Sequence, residues 1–192
     1  MLEAAASVVA DCGYEAFSVE EVARRSGVNK TTIYRRWPTK ADLIAESVRE
    51  RSERLVPRTQ SESLAGDLRQ LTRLVAANIG SDVGGRMTKS LIAATTSSLA
   101  LGELGSAFWS ERLAEAEEIF VRAIERGDVP ADIDGSLVIQ VLIGPLYVRL
   151  LLTNEPIDQA FADRVAEFVL AAVRTKPPRK AKPVPAARLS PR

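Results

Sequence analysis

The composition of this chain excludes several classes of protein before any motif is considered. It has 192 residues, of which 46% are hydrophobic and 27% charged, a net charge of +1, no histidine and one cysteine, Cys12. These values are ordinary for a globular protein, and they exclude histidine-based catalysis, most zinc sites and an internal disulfide. No nucleophile–base pair stands out, and the N-terminus lacks the pattern of a signal peptide. We therefore expect a cytoplasmic protein that is not an enzyme and holds no metal or other cofactor.

Basic residues are concentrated in two segments. From Arg174 onward there are seven basic residues and no acidic one, which leaves 19 basic and 25 acidic residues in the rest of the chain. Many prolines and few large apolar residues predict a disordered, basic tail at 175–192. Because the acidic remainder repels DNA, any contact with DNA must be local. The segment from Arg24 to Lys40, with six basic residues and no acidic one, offers such a surface.

The apolar periodicity predicts an all-α protein with about nine helices and no strand. Pro57 and the polar residues after it mark a boundary between an N-terminal domain at 1–56 and a C-terminal helical domain at 57–174. The expected helices outside the basic segment are 2–12, 40–55, 64–79, 86–100, 104–126, 134–153 and 158–173.

The segment 18–37 has the features of a helix-turn-helix. Ser18 is a good N-cap for the first helix, and Glu21 three residues later predicts a capping box. A small turn residue, a second cap and two inward side chains at i,i+4 spacing allow the helices to cross closely. These features are provided by Gly27, Asn29, Ile33 and Trp37.

A compact helix pair with a basic outer surface is typical of a protein that binds duplex DNA. Side chains advance by about 100° per residue along a helix, so residues opposite Ile33 and Trp37 point outward. We expect base contacts from Thr31, Thr32 and Arg35, with Arg35 the best partner for a guanine.

The stretch GVNKTTIYRRWPTKADLIAE resembles the recognition helix and the following helix of the tetracycline-repressor (TetR) family of bacterial transcription regulators. Shared features are a Gly-Val turn, a hydrophobic-Tyr pair, an aromatic residue, and Pro, Thr and Lys before helix 4. The aromatic residue is Trp37 here, where the family more often has Phe. The stretch RGDVPADIDGSLVIQVLIGPLYVRLLLTNEPIDQAF resembles the C-terminal ligand-binding and dimerisation half of one TetR subgroup. The resemblance covers nearly the whole chain except the tail.

The resemblance implies phosphate contacts around the recognition helix. In the family, the Tyr of the hydrophobic-Tyr pair and the Lys that opens helix 4 hold phosphates, the latter aided by backbone N–H groups at a helix N-terminus. The residues expected to contact phosphates are Lys30, Tyr34, Arg36, Thr39 and Lys40.

The segment Leu137–Leu152 is apolar on every side except at Gln140 and Arg149. It falls short of the ~20 apolar residues that a membrane span needs, so we expect no membrane contact and burial against a second copy. The resemblance also implies that the last two helices pair with their symmetry mates in a four-helix bundle. The expected interface residues are Val141, Leu142, Leu146, Leu150 and Phe168.

Three further features have alternative interpretations. Gly80–Thr88 is a near miss to a phosphate-binding loop, but it has no preceding strand, so an inter-helix loop is the better prediction. Arg149 either contacts a ligand carboxylate or, as the favoured alternative, forms an ion pair at an interface with Glu155 or Asp158. Phe108 and Trp109 belong either to the plain core or to a ligand pocket. The residues of that predicted pocket are Met87, Leu91, Phe108, Trp109 and Tyr147.

Together these observations favour a ligand-responsive repressor that binds a palindromic operator as a homodimer. The expected partners are an operator in double-stranded DNA, a second copy of the chain and a small-molecule effector. The alternative is a helical small-molecule-binding protein whose helix-turn-helix no longer binds DNA.

Overall fold

The structure, a computed structural model, describes residues 1–97 and 99–174; the predicted tail at 175–192 lies outside them. This part of the chain forms nine α-helices and one π-helical turn, without a strand. The α-helices are Leu2–Cys12 (α1), Val19–Ser26 (α2), Lys30–Arg36 (α3), Lys40–Leu55 (α4), Leu64–Gly80 (α5), Asp82–Ser97 (α6), Leu99–Glu125 (α7), Gly135–Val148 (α8) and Gln159–Arg174 (α9), and the π turn is Arg149–Thr153.

Helices α1 to α4 form a small unit, here called the reading head, around a shared apolar core. Ile33 and Leu43 are fully buried in this core, and Trp37 is 7% exposed. Gly27 ends α2 in the left-handed conformation, with φ 70°, which a residue without Cβ adopts most easily. The Asn29 side chain accepts a hydrogen bond from the Thr31 backbone N–H at 2.8 Å and so caps α3. Local signals in the sequence thus set the crossing of α2 and α3.

The expected capping box at the start of α2 is only half formed. Ser18 Oγ accepts a hydrogen bond from the Glu21 backbone N–H at 3.4 Å. The Glu21 carboxylate does not reach back, because it binds Arg24 and Arg25 instead. The complete capping box lies at α4, where Thr39 and Asp42 satisfy each other's backbone N–H groups.

The connection between α5 and α6 is a single residue, Ser81, rather than the loop predicted at 80–88. Ser81 Oγ accepts a hydrogen bond from the Gly84 backbone N–H at 3.1 Å. A Cβ at Gly84 would lie 1.9 Å from the Asn78 carbonyl oxygen, and one at Gly85 would lie 2.8 Å from the Ile79 carbonyl oxygen. The glycines therefore permit two helices to meet almost directly, so α6 starts four residues earlier than expected.

Helix α6 packs on α1 and joins the reading head to the rest of the molecule. Met87 is 4% exposed and belongs to the same apolar cluster as the reading-head core. Asp11 on α1 binds Arg86 of α6 at 2.7 Å and also binds Arg25 of α2. One carboxylate therefore connects three helices. Arg51 of α4 binds Glu3 of α1 at 3.0 Å within the reading head, and it adds a second link to the rest of the molecule because its Nη2 donates to Ser81 Oγ at 3.3 Å.

Helix α8 and the π turn have one buried and one exposed apolar face. Leu142, Leu146 and Leu150 are 0%, 0% and 7% exposed within the single chain. The prediction that these three residues contact a second copy is therefore wrong, because their own subunit already covers them. The large apolar residues that remain exposed on α8, the π turn and α9 are Leu137, Val141, Val148, Leu151, Leu152 and Phe168.

The helical stretch Gly135–Thr153 is 19 residues long with a hydropathy of 1.8, and by length and composition it could cross a membrane. Its buried face packs in two apolar clusters with residues of α5, α7 and α9. Only 22% of this stretch is buried within the single chain, so most of its apolar surface is open. An apolar face that stays exposed in the single chain is typical of a surface that another molecule covers.

Candidate nucleic-acid interface and internal cavity

The outward face of α3 presents polar side chains to solvent. Thr31, Thr32 and Arg35, the predicted base-contacting residues, are all exposed, whereas Ile33 between them is fully buried. Tyr34 is 41% exposed. One seven-residue helix therefore has a single buried side chain and an otherwise open surface.

Three of the six basic residues between Arg24 and Lys40 already have acidic partners among the described residues. Arg24 and Arg25 bind Glu21, and their hydrogen bonds lower the pKa of this carboxyl to about 2. Lys30 binds Glu20, and this hydrogen bond likewise lowers the pKa of Glu20 to about 2. Half of the basic residues of this segment are thus paired with carboxylates of the same chain.

Arg35 and Arg36 differ from Arg24, Arg25 and Lys30 in this respect. Within the described part of the chain, no carboxylate lies within ion-pair distance of either guanidinium. The Arg36 guanidinium lies 4.7 Å from the centre of the Trp37 ring. The Arg35 side chain is exposed and makes no hydrogen bond to the described residues. Arg35 is therefore the cation most available to an incoming base edge.

Lys40 is engaged inside the reading head. Its ammonium donates to the carbonyl oxygens of Tyr14 and Glu15 at 3.1 and 3.2 Å and lies 4.4 Å from the centre of the Tyr14 ring. These contacts fix the start of α4 against the connection between α1 and α2. The Thr39 hydroxyl is similarly occupied, because it donates to Asp42 at 2.7 Å. Both side chains thus position the reading head, whatever they contribute to phosphate binding.

A cavity of about 590 Å³ lies among helices α4 to α8. The structure places all five residues of the predicted ligand pocket along its wall: Met87, Leu91, Phe108, Trp109 and Tyr147. The Trp109 ring packs edge-on against Phe108 at 5.6 Å and against Tyr147 at 5.4 Å between ring centres. Burial raises the pKa of the Tyr147 phenol, which therefore stays protonated.

Sequence analysis missed the polar groups of this cavity. Arg51 and Thr59 are 5% and 3% exposed, and both line the cavity together with Asn78. The inward position of Arg51 could have been predicted, because it follows the inward-facing Ser47 by four residues on α4. Thr59 lies in the connection after α4, where periodicity carries no information.

Arg149 forms an ion pair with Glu155 at 3.0 Å, which is one of the two partners considered for it, but the pair lies within one chain and not at an interface. Its guanidinium also donates to the Pro156 carbonyl oxygen at 2.5 Å and covers the Phe161 ring at 3.4 Å from the ring centre. All of these partners belong to the same chain. Arg149 therefore fastens the π turn to the start of α9.

No group of three or more His, Cys, Asp or Glu residues in the described part of the chain is placed to hold a metal ion. The helix-turn-helix, its open α3 surface and the attached helical core define a DNA-binding transcription regulator. Two family models divide the chain between them: "Bacterial regulatory proteins, tetR family" matches residues 1–47, and "Tetracyclin repressor-like, C-terminal domain" matches residues 58–169. The chain belongs to the TetR family.

Similar proteins agree with this assignment. The regulator AqdR of Rhodococcus erythropolis is 28% identical over 178 residues, which cover 89% of this chain and 82% of AqdR. The DNA-binding transcriptional repressor TetR of Mycobacteroides abscessus is also 28% identical, with 88% and 90% covered.

Two solved structures have the same fold. The TetR-family regulator SCO0332 superimposes with a TM-score of 0.72 at 29% identity, covering 88% of this chain and 94% of SCO0332. FadR of Bacillus subtilis, solved with stearoyl-CoA, gives a TM-score of 0.73 at 19% identity, with 88% and 96% covered.

Proposed function

We propose that this regulator is a ligand-responsive repressor in the cytoplasm that binds a near-palindromic operator as a homodimer. The observation that carries the proposal is the outward face of α3, where Thr31, Thr32 and Arg35 are exposed around one buried anchor, Ile33. A helix of this kind enters the major groove, in which a guanidinium bonds two acceptors of a guanine.

The exposed apolar residues of α8 and α9 support a homodimer. Val141 and Phe168 are 47% and 74% exposed, and Leu152 is 75% exposed. Exposed apolar side chains clustered on neighbouring helices are typical of an interface between copies of a chain. A two-fold pairing would place the two recognition helices in successive major grooves about 34 Å apart. The operator is then expected to be a near-palindrome.

The cavity supports a response to a small molecule. Its wall includes Ile44 and Arg51 of α4 and Met87 of α6, and these two helices both contact α1 of the reading head. A ligand that binds better to a dimer with misplaced reading heads shifts the population toward that state. The affinity for DNA then falls by the difference in ligand affinity, typically about 1–3 kcal/mol.

A gel-shift assay with DNA from upstream of the protein's own gene tests the proposal. We expect a complex with the wild-type protein that forms at lower concentration than with unrelated DNA of equal length. The variant Arg35→Ala should reduce this preference while its circular dichroism spectrum stays helical. A wild-type protein that binds no genomic fragment selectively would instead favour the small-molecule-binding protein without operator binding.

A further inference from the structure

The aromatic corner of the cavity, formed by Phe108, Trp109 and Tyr147, contains a hydroxyl group without a partner. Tyr147 of α8 lines the cavity, and its Oη makes no hydrogen bond to the described residues. Five side-chain atoms in the described part of the chain are both unpaired and enclosed by protein, and Tyr147 Oη is not one of them. This oxygen therefore retains accessible surface. Because burial raises the pKa of the phenol, that surface faces the cavity and not open solvent.

The groups in this aromatic corner are hydrogen-bond donors. The Tyr147 phenol keeps its proton, so its Oη can donate. Trp109 packs edge-on against the Tyr147 ring at 5.4 Å, and its indole N–H, which can only donate, also makes no hydrogen bond to the described residues. An unpaired donor in a site that holds little water costs free energy, so a ligand that supplies an acceptor is favoured. A carbonyl oxygen is such an acceptor.

The other polar groups of the wall offer no comparable anchor. Four further atoms of the wall are unpaired, but each has less than 1 Å² of accessible surface, so a ligand does not reach them: Arg51 Nε, Thr59 Oγ1, Asn78 Oδ1 and Arg122 Nε. Thr95 Oγ1 donates to the Ile92 carbonyl oxygen at 2.8 Å. The remaining hydroxyls of the wall lie outside the aromatic corner and belong to Tyr14, Ser52, Thr88 and Ser106.

The charges of the cavity wall are already balanced among the described residues. Each arginine that lines the cavity has a carboxylate within ion-pair distance: Arg49 with Glu111, Arg51 with Glu3, Arg58 with Glu115 and Glu118, Arg112 with Glu115, and Arg122 with Asp67. A charged ligand group would give up its hydration without gaining an unpaired opposite charge from these residues. The wall therefore favours an uncharged ligand.

Apolar side chains cover much of the remaining wall. On α5, Leu71, Val75 and Ile79 form a stripe along the cavity at helical spacing. The edge-to-face rings of the aromatic corner offer surfaces that suit a flat, apolar ligand body. With about 590 Å³ available, the cavity accommodates a molecule of drug-like size.

We propose that the effector is an uncharged, mainly apolar molecule with a carbonyl oxygen or similar acceptor that takes a hydrogen bond from Tyr147 Oη. This inference rests on the proposed ligand response and assigns the chemical class of its effector. It makes Tyr147 a residue that determines ligand specificity. A hydrocarbon of the same shape leaves the hydroxyl unpaired, and a carboxylate brings a charge that no free cation among the described residues balances.

Equilibrium dialysis of the full chain against three probes of similar shape tests the proposal: benzophenone, diphenylmethane and diphenylacetate. Only benzophenone carries an uncharged acceptor, so the ratio of its affinity to that of diphenylmethane reports the hydrogen bond. We expect Tyr147→Phe, which removes the hydroxyl and keeps the ring, to lower this ratio about 5-fold. Tyr14→Phe, the same change at the other tyrosine of the wall, should leave the ratio unchanged. Diphenylacetate should bind most weakly to the wild type.

Irradiation of bound benzophenone gives a second measurement, because its excited carbonyl group bonds to a carbon whose C–H lies beside it. Peptide mass mapping of the wild-type protein should place this label on α7 or α8, next to Trp109 or Tyr147.

Several results would overturn the proposal: an affinity ratio that Tyr147→Phe leaves unchanged or that Tyr14→Phe lowers, tightest binding of diphenylacetate, or no detectable binding of any probe. A label confined to helices other than α7 and α8 would do the same. If Tyr147→Phe does not fold, the position of the label in the wild-type protein decides the matter. Operator binding is measured without any probe, so a failure here leaves the gel-shift test of the regulator intact.

Discussion

At the scale of single residues, Arg35 is the side chain on which operator specificity should depend. It is exposed on α3 and has no acidic partner in the described residues. Arg35→Ala is expected to weaken operator binding by about 1–3 kcal/mol and to relax the preference at one base pair in each half-site. A binding selection from randomised DNA measures this preference. An unchanged selected sequence would show that Arg35 does not contact a base.

Lys30 should be restrained by its partner on the neighbouring helix. Glu20→Gln removes the carboxylate that holds the Lys30 ammonium, which then becomes available to a phosphate. We expect DNA affinity to rise severalfold and the salt dependence of binding to steepen by about one counterion. Titration in salt measures both. Glu53→Gln, an equal charge change at an exposed residue far along α4, controls for net charge, and an equal gain there would contradict the assignment.

The same pair predicts how binding responds to pH. Hydrogen bonding to Lys30 lowers the pKa of Glu20 from 4.5 to about 2. A depressed carboxyl pKa means that the pair is present above the unfolded value and is lost only as the pH falls toward 2. DNA affinity measured between about pH 6 and pH 8 should therefore show no step due to this pair. A step in the DNA affinity of the wild-type protein over this pH range, absent from the Glu20→Gln variant, would contradict this expectation.

At the scale of helices, the direct junction between α5 and α6 should be sensitive to one added carbon. Gly84→Ala would place Cβ 1.9 Å from the Asn78 carbonyl oxygen, so α6 must shift or the junction must open. We expect a lower melting temperature and, because α6 packs on α1, weaker operator binding. Gly144→Ala is the control for the melting temperature alone, since its Cβ meets nothing within 4 Å. Alanine there should be neutral or stabilise the helix by up to about 1 kcal/mol.

The helix bounds also show how much of the fold could be predicted from the sequence alone. The bounds of α1 and α4 coincide with the prediction, because local residues mark their ends: Gly13 stops α1, and Thr39 caps α4. The start of α6 was missed because Gly84 and Gly85 look like loop residues. These two glycines are required because α5 approaches closely, and this packing cannot be deduced from the local sequence pattern.

The candidate sites show the same difference between features that local patterns predict and features that depend on packing. The exposed face of α3 was predictable, because helical periodicity fixes it once Ile33 is known to be buried. The pairing of Lys30 with Glu20 was not, because it depends on how two helices cross. In α8, apolar residues occur on every side, so periodicity could not separate the buried Leu142 from the exposed Val141.

At the scale of the whole molecule, the exposed face of α8 and α9 should control assembly. Val141→Asp places a charge on this face and should give monomers that stay helical but lose selective operator binding. Leu146→Asp should unfold the subunit instead, because Leu146 is 0% exposed. Val121→Asp changes a residue that is 56% exposed on α7 and should leave assembly intact. Sedimentation at micromolar concentration measures the oligomeric state of the wild type and of each variant. A monomeric wild-type protein would contradict the proposed dimer and remove the basis for a palindromic operator.

The contacts of Asp11 bear on how such proteins can be recombined. A hybrid regulator is easily imagined by joining the first 56 residues of one protein to the remainder of another. In this chain that cut separates Asp11 from Arg86 and removes Met87 from the apolar cluster that it completes. A transplanted N-terminal segment would meet a foreign α6 and leave Asp11 with Arg25 as its remaining partner. The unit that can be exchanged intact is therefore discontinuous in sequence and includes the first two turns of α6.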